Sequence, residues 1–280
     1  KRSHKTCRSP QDVHNTYFKV LRFKKLLKTD RSWWDTLVAA LAEFLGSAIL
    51  VFIGCMGCVG SLSAPAPHVQ IALTFGFAIG TVLIGHISGA HITPIVSVCT
   101  VILGLNSITT SVIYILAQVL GAIVGFGMLR VVTPAGFLHS GNSTTADSFC
   151  VTAINENVSQ FQGLLVETIS SGILVFFVCS LVDPRNKKDL VAVPIKFGLL
   201  ISMLAMATGA YTGCSMNPAR SFGPALWNND WTSHWVYWLG PIAGSVLVSF
   251  TYKTLFWPKE SHQEETPEAI ALNSIDTEKP

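Results

Sequence analysis

Residues 42–55, Ala-Glu-Phe-Leu-Gly-Ser-Ala-Ile-Leu-Val-Phe-Ile-Gly-Cys, and residues 166–179, Val-Glu-Thr-Ile-Ser-Ser-Gly-Ile-Leu-Val-Phe-Phe-Val-Cys, read as two copies of one apolar segment. Superposed, Glu43 falls on Glu167, an offset of 124 residues (167 − 43). The same offset places Gly85 on Gly209, Gly89 on Gly213, Thr93 on Asn217, Pro94 on Pro218 and Ser97 on Ser221 without a gap. Chance similarity between apolar stretches does not align charged, Gly and Pro positions in two distant blocks. The chain is therefore an internal repeat, and each half states what the other is expected to hold.

Half of the 280 residues are hydrophobic and only 12% are charged, against about 25% in ordinary soluble proteins. Mean hydropathy is +0.48. This is the composition of a membrane protein. A spanning helix needs about 20 mostly apolar residues, and six such segments are predicted, at roughly 36–57, 69–88, 109–131, 161–182, 190–209 and 233–256. Three spans per half is an odd number, so the second repeat inserts with the opposite orientation, an inverted symmetry found in many transport proteins. The fold class expected is an all-α membrane protein of six transmembrane helices and two re-entrant half-helices.

Basic residues orient it, because short segments rich in Lys and Arg stay in the cytoplasm. The segment before the first span carries ten of them, from Lys1 to Arg31, and the fourth connection carries Arg185, Lys187 and Lys188. Both termini are expected in the cytoplasm. The net charge of +3 then reflects topology and gives no case for nucleic-acid binding, although the basic tail can attract anionic lipid. The long third connection, about 132–160, is expected outside, and it holds two glycosylation sequons, Asn142-Ser143-Thr144 and Asn157-Val158-Ser159. The domain division is a basic tail at 1–32, a membrane-spanning domain at 33–258 (repeats at about 36–131 and 160–257) and a disordered polar tail at 259–280, where the composition turns acidic. The start is polar, so no cleavable signal sequence is expected. The seven cysteines show neither metal spacing nor a paired extracellular pattern, and they are expected to be free thiols. No metal, cofactor or catalytic constellation is expected.

Between spans two and three, and again between five and six, lies a segment too apolar for a surface loop and too short to cross. Each begins rich in Gly and reaches Thr93-Pro94-Ile95 or Asn217-Pro218-Ala219. Thr and Asn suit the N-cap of a helix and Pro its first position. Each segment is predicted to enter the membrane extended and turn into a short helix starting at Thr93 or Asn217. Non-helical backbone at membrane depth survives only inside protein or along a watery cavity. Two such segments meeting near the midplane would bring helix N-termini together, whose positive dipole ends repel cations, while exposed carbonyls accept hydrogen bonds from neutral polar molecules.

Three strings carry a family resemblance: Ala42-Glu43-Phe44-Leu45-Gly46, Gly85-His86-Ile87-Ser88-Gly89-Ala90-His91 and the run from Thr212 to Ala225 that includes Asn217-Pro218-Ala219-Arg220-Ser221. They resemble the major intrinsic protein family, the aquaporins and aquaglyceroporins, over about 36–257. The resemblance implies a right-handed helical bundle, a pore in each subunit and a homotetramer, in the plasma membrane. It also implies an outer filter of four residues: Ala205 on span five, Cys214 and Arg220 in the second re-entrant segment, and Phe75 or Leu73 on span two. A gapless count from Thr93 gives Leu73, and matching the string Leu73-Thr74-Phe75-Gly76 gives Phe75. The two lie about 200° apart on a helix, so only one faces the pore.

Water-selective members resemble one another in a His at the place of Ala205. Ala leaves a wider, half-apolar slot beside Arg220, which suits glycerol or urea as well as water. An insect group derived from water channels, associated with glycerol passage, resembles this chain in lacking that His. Ser221, Ala225 and the pair Tyr237-Trp238 retain the water-channel pattern, and no Asp follows Arg220 as in older glycerol facilitators. Glu43 and Glu167 are expected to brace the re-entrant backbones, and His86 and His91 to be packed rather than to form a pH gate. Thr93 is expected to keep the helix cap, with Ile95 adding bulk beside it. The function expected is passive conduction of water and small uncharged solutes, with two alternatives: a strictly water-selective channel, and a non-conducting protein of adhesion or membrane organisation.

Overall fold

The computed structural model describes residues 31–60, 66–81, 85–138, 148–186 and 192–258. Among them the order is α1 (Trp33–Met56), α2 (His68–Thr81), α3 (Gly85–Ser88), α4 (Pro94–Leu103), α5 (Ile108–Val132), α6 (Gln160–Val182), α7 (Val193–Thr212), α8 (Pro218–Asn228) and α9 (Val236–Leu255), with 3₁₀ turns at Ala135–Phe137 and Pro184–Asn186 and no strand. Helices α1, α5, α6 and α7 are each long and apolar enough to cross a membrane. Span two is described as α2 and the single turn α3. Span five starts later than expected, at Val193, with Pro194 in its first turn, where a missing N–H costs nothing.

Helix starts follow local chemistry. Ser32, Ser107 and Ser159 cap α1, α5 and α6 through their hydroxyls, and at α6 Gln162 reaches back to complete a capping box. The lipid-facing sides are aliphatic ridges at intervals of four residues: Leu37, Leu41, Leu45, Ile49 and Ile53 on α1, and Val112, Leu116, Leu120, Val124 and Met128 on α5 are all exposed. Polar residues turn inward instead, with Glu43, Ser97, Gln118, Glu167 and Ser221 fully buried. Such a distribution is stable where the solvent is hydrocarbon and the polar groups find partners inside.

The two halves pack alike. Helix α1 lies most extensively against α5, and α6 against α9, while α2 crosses α7 between the halves. The tightest approaches are at glycine, which lets backbones close in where no hydrophobic force separates helix from lipid. A Cβ on Gly121 would sit 2.2 Å from the Phe44 carbonyl, and one on Gly244 would sit 2.2 Å from the Thr168 carbonyl. Phe44 and Thr168 are again 124 apart (168 − 44). Helix α4 packs on α9 and α8 on α5, so each short helix leans on the last long helix of the opposite half.

At the end carrying both described termini, the backbone amide of Arg185 and two of its guanidinium nitrogens donate to Asp183, and Nη2 also reaches the Phe256 carbonyl. These bonds hold the Asp183 carboxyl well below the usual carboxylate range. At the other end the thiol expectation fails for two residues: Cys55, in the last turn of α1, and Cys150, in the connection after α5, form a disulfide. Cys58, Cys99, Cys179 and Cys214 are free. The expected topology already put the end of span one and the third connection on one side, and it was the spread of the cysteines along the chain that hid the pair. The tails, Lys187, Lys188 and Asn142 lie outside the described residues.

Replacing Gly244 by Val is expected to lower the thermal midpoint in detergent, because overpacking a close helix contact costs about 1–3 kcal/mol. Size-exclusion after graded heating checks this. A midpoint equal to wild type would mean that the α6–α9 contact is looser than described.

Candidate functional site

Glu43 and Glu167 are carboxylates buried in the bundle at 0% exposure. Glu43 Oε1 accepts from the Ser88 hydroxyl (2.6 Å) and the His91 amide (2.9 Å), and Oε2 accepts from the Ile92 amide (2.6 Å) and Gln118 Nε2 (2.8 Å). Glu167 accepts from the Thr212 hydroxyl (2.6 Å) and from the amides of Ser215 and Met216 (both 2.9 Å). Ser88, His91 and Ile92 correspond to Thr212, Ser215 and Met216 at the repeat offset, so one device appears twice. Tyr114 and Tyr237 complete each copy by donating to the carbonyls of Ser88 and Thr212.

What the carboxylates hold is unusual backbone. Gly89, Ala90 and Ile92 have φ of 91°, 49° and 56°, and Gly213, Cys214 and Met216 have φ of 72°, 50° and 48°. A left-handed residue other than Gly costs roughly 1–2 kcal/mol, and charge-assisted hydrogen bonds of about 1.5–3 kcal/mol each offset it. In a trans peptide the C=O points opposite to the N–H. With the amides of 91, 92, 215 and 216 aimed at carboxylates, the carbonyls of Ala90, His91, Cys214 and Ser215 aim away from them. Those residues line a cavity of about 1310 Å³.

The cavity runs between the repeats from His86, Asn106 and Val193 at the terminal end to Cys58, Phe137 and Val151 at the opposite end. Helices α4 and α8 begin at its middle. Asn217 caps α8 by accepting from the amides of Ala219 and Arg220, and its Nδ2 donates to the Ile92 carbonyl (3.1 Å). Thr93 stands at the equivalent N-cap with extended backbone, yet its side chain makes no capping bond; its hydroxyl points across to the Met216 carbonyl at 3.5 Å. The expectation of a retained cap is corrected here: the hydroxyl takes the cross-repeat contact that Asn217 makes from the other side, and one short side chain does not do both.

Thr93 and Asn217 line the cavity, whereas Pro94, Ile95, Pro218 and Ala219 do not. Ile95 is wholly buried, in one apolar cluster with Val96, Cys99 and Leu174, and its carbonyl accepts from Ser245 (2.7 Å). Its bulk sits in the core behind the cavity and not beside the path. His91 is buried, with Nδ1 3.0 Å from the Ser97 hydroxyl and its ring edge-on to Tyr114. The exposed His86 lies at the cavity mouth.

Toward the opposite mouth, Phe75, Ala205, Cys214 and Arg220 all line the cavity. Leu73 is 37% exposed on the outer surface, and Phe75 is 8% exposed. The Arg220 guanidinium lies over the Phe75 ring, 4.6 Å from its centroid, and Nη1 donates to the Cys150 carbonyl at 3.0 Å. Gly54 makes room for that ring, since a Cβ there would lie 2.3 Å from Phe75. Cys150 and Cys58, which the sequence reading did not single out, therefore belong to this end of the cavity. The signal for them was the pair Cys55 and Cys58 at the end of span one with Cys150 in the connection expected on that side.

The cavity between the repeats is lined by the re-entrant segments of both halves and by the buried Arg220. The sequence matches the Major intrinsic protein family over residues 30–252. It is 38% identical over 239 residues to Aquaporin-4 of Mus musculus, covering 83% of this chain and 72% of that protein. It is 37% identical over 225 residues to Aquaporin-5 of Homo sapiens, covering 79% and 82%. In fold it is similar to the aquaglyceroporin from Plasmodium falciparum, with a TM-score of 0.71 and 23% identity over 79% of this chain and 96% of that one. Two inverted repeats of three spans and a half-helix around one pore thus place the chain in the major intrinsic protein family, as a multi-pass membrane channel for water or small solutes.

Proposed function

We propose that the channel conducts water and small uncharged solutes, glycerol and urea among them. The observation that carries this reading is Ala205: it lines the cavity with Phe75, Cys214 and Arg220, and it offers a methyl group where a His would narrow the path and add a polar donor. A polyol can then lay its hydroxyls along the guanidinium of Arg220 and the carbonyl side of 214–215 while its carbon edge faces Ala205 and Phe75. The filter reading assigns solute size to these four residues, with Phe75 rather than Leu73 as the contribution from span two.

In the same reading Thr93 and Asn217 mark the midplane, where the N-termini of α4 and α8 meet and their dipoles disfavour cations and protons. Glu43 and Glu167 act as braces for the carbonyl ladder and touch no solute. The protein works in the plasma membrane with both termini in the cytoplasm, as a homotetramer with one pore per subunit. Asn157, exposed in a turn at the opposite end, is then available outside for glycosylation.

Proteoliposome swelling separates the readings. Shrinkage in sucrose followed by re-swelling in glycerol supports the proposal, water flux alone points to a strict water channel, and no flux points to a non-conducting role. In Ala205→His, glycerol permeability is expected to fall about tenfold or more relative to water, the lower end of what one change of size in a pocket wall gives. An unchanged ratio would remove Ala205 from the filter. Thr93→Asn is expected to keep conduction and to gain about 1 kcal/mol from the restored cap, read as a higher thermal midpoint; lost conduction would show that Thr93 itself is needed at the midplane. Glu167→Leu leaves the Ser215 and Met216 amides without their acceptor, at about 1–3 kcal/mol each. Stopped-flow light scattering should find little flux, and wild-type flux in this variant would refute the brace.

A further inference from the structure

The mouth opposite the termini holds three sulfurs within one turn and one connection. Cys55, in the last helical turn of α1, is bonded to Cys150. Cys58 follows three residues later as a free thiol, half-buried, lining the cavity, with Sγ 3.8 Å from Cys150 Sγ. A free thiol at that distance from a disulfide sulfur is placed for exchange, and the cavity gives it access to the water that must accept its proton. Packing alone would be served by any small side chain there, with no sulfur aimed at sulfur.

Cys150 is also the residue whose carbonyl holds the Arg220 guanidinium, at 3.0 Å. Its backbone is left-handed, with φ of 60°, so its carbonyl direction is set by its tethers and not by intrinsic preference. A change of disulfide partner, from the end of α1 to the turn beyond it, pulls on this residue.

We propose that Cys55, Cys58 and Cys150 form a thiol–disulfide exchange site in which Cys58 competes with Cys55 for Cys150 and so shifts the carbonyl that positions Arg220. In the step, Cys58 gives its proton to water and its thiolate attacks Cys150 Sγ. The Cys55–Cys150 bond breaks as the Cys58–Cys150 bond forms, and Cys55 leaves as a thiolate that takes up a proton. One disulfide and one thiol stand on each side, so neither oxidant nor reductant is consumed. The exchange stands independently of the solute range proposed above; only its effect on conduction rests on the filter reading of Arg220.

Burial pushes the Cys58 thiol up to about 11, so its thiolate is a minor species and the exchange is slow; the full-length protein in proteoliposomes, held for hours near pH 8.5 without added thiol or oxidant, tests it. It is quenched in acid, alkylated and digested without reduction, and fragment spectra locate the alkyl group on Cys55 or on Cys58. Roughly a tenth or more of the chains are expected to carry Cys58–Cys150 with alkylated Cys55, the share for two partners within tenfold of each other in stability. Cys58 alkylated in every chain would overturn the proposal. For the coupling, Cys55→Ser is treated with oxidised glutathione as the oxidant. Formation of Cys58–Cys150 is expected to change Arg220-dependent permeability to water or glycerol by about twofold or more, the lower end of typical coupling effects. The bond forming with both permeabilities unchanged would overturn the link to Arg220. Should that variant not assemble, the wild-type mapping still decides the exchange, and a channel that passes only water leaves both tests readable.

Discussion

Everything in this structure depends on two carboxylates hydrogen-bonded to main chain inside a membrane protein. Non-helical backbone cannot lie at membrane depth with its amides bare, since each unsatisfied group costs several kcal/mol there. Glu43 and Glu167 remove that cost for the amides of 91–92 and 215–216. In doing so they turn the matching carbonyls the other way. The cavity lining is thus a consequence of where the N–H groups go: acceptors in a row, with no side chain needed to supply them.

The carboxylates are themselves expensive to bury and are tolerable only with several donors each. Their donors come from the polypeptide they organise, so each half-repeat is a closed unit of Glu, hydroxyl, two amides and a tyrosine. Inverted duplication then brings the two units face to face, with the Asn217 amide on the Ile92 carbonyl and the Thr93 hydroxyl turned to the Met216 carbonyl. The halves differ where chemistry is asymmetric. Gln118 donates to Glu43 and Ser97 where the second half has Ile242, His91 stands where the second half has Ser215, and the cap made by Asn217 has no side-chain equivalent at Thr93.

At the mouth the constraint is of another kind. Arg220 is held by a ring and a carbonyl, and among the described residues it forms no salt bridge to a carboxylate. A guanidinium stacked on Phe75 and bonded to the Cys150 carbonyl stays charged toward the cavity while losing its freedom to swing. The carbonyl belongs to a residue fixed by a disulfide to α1, so the position of the only buried cation recorded in the described bundle depends on a covalent link 95 residues long in sequence.

The repeat, the six spans, the helix starts at Thr93 and Asn217 and the facing of Glu43 toward the re-entrant backbone were all readable from residue order, because periodicity, Pro at the first helical position and the price of burying charge are local rules. Three things were not. Whether Phe75 or Leu73 faces inward turned on a rotation of about 200°, which only the packing of α2 on α7 settles. That Thr93 gives up its cap turned on the distance to a carbonyl in the other half of the chain. The pairing of Cys55 with Cys150 required two segments to meet at one end of the bundle. Sequence by itself determined which groups had to be buried and which backbone had to bend, since those follow from the chemistry of each residue and its neighbours. Tertiary structure alone decided which groups meet across the repeats, because such contacts are set by how helices from opposite halves pack, as α2 does on α7 where Gly76 meets Gly198, and that geometry is nowhere local.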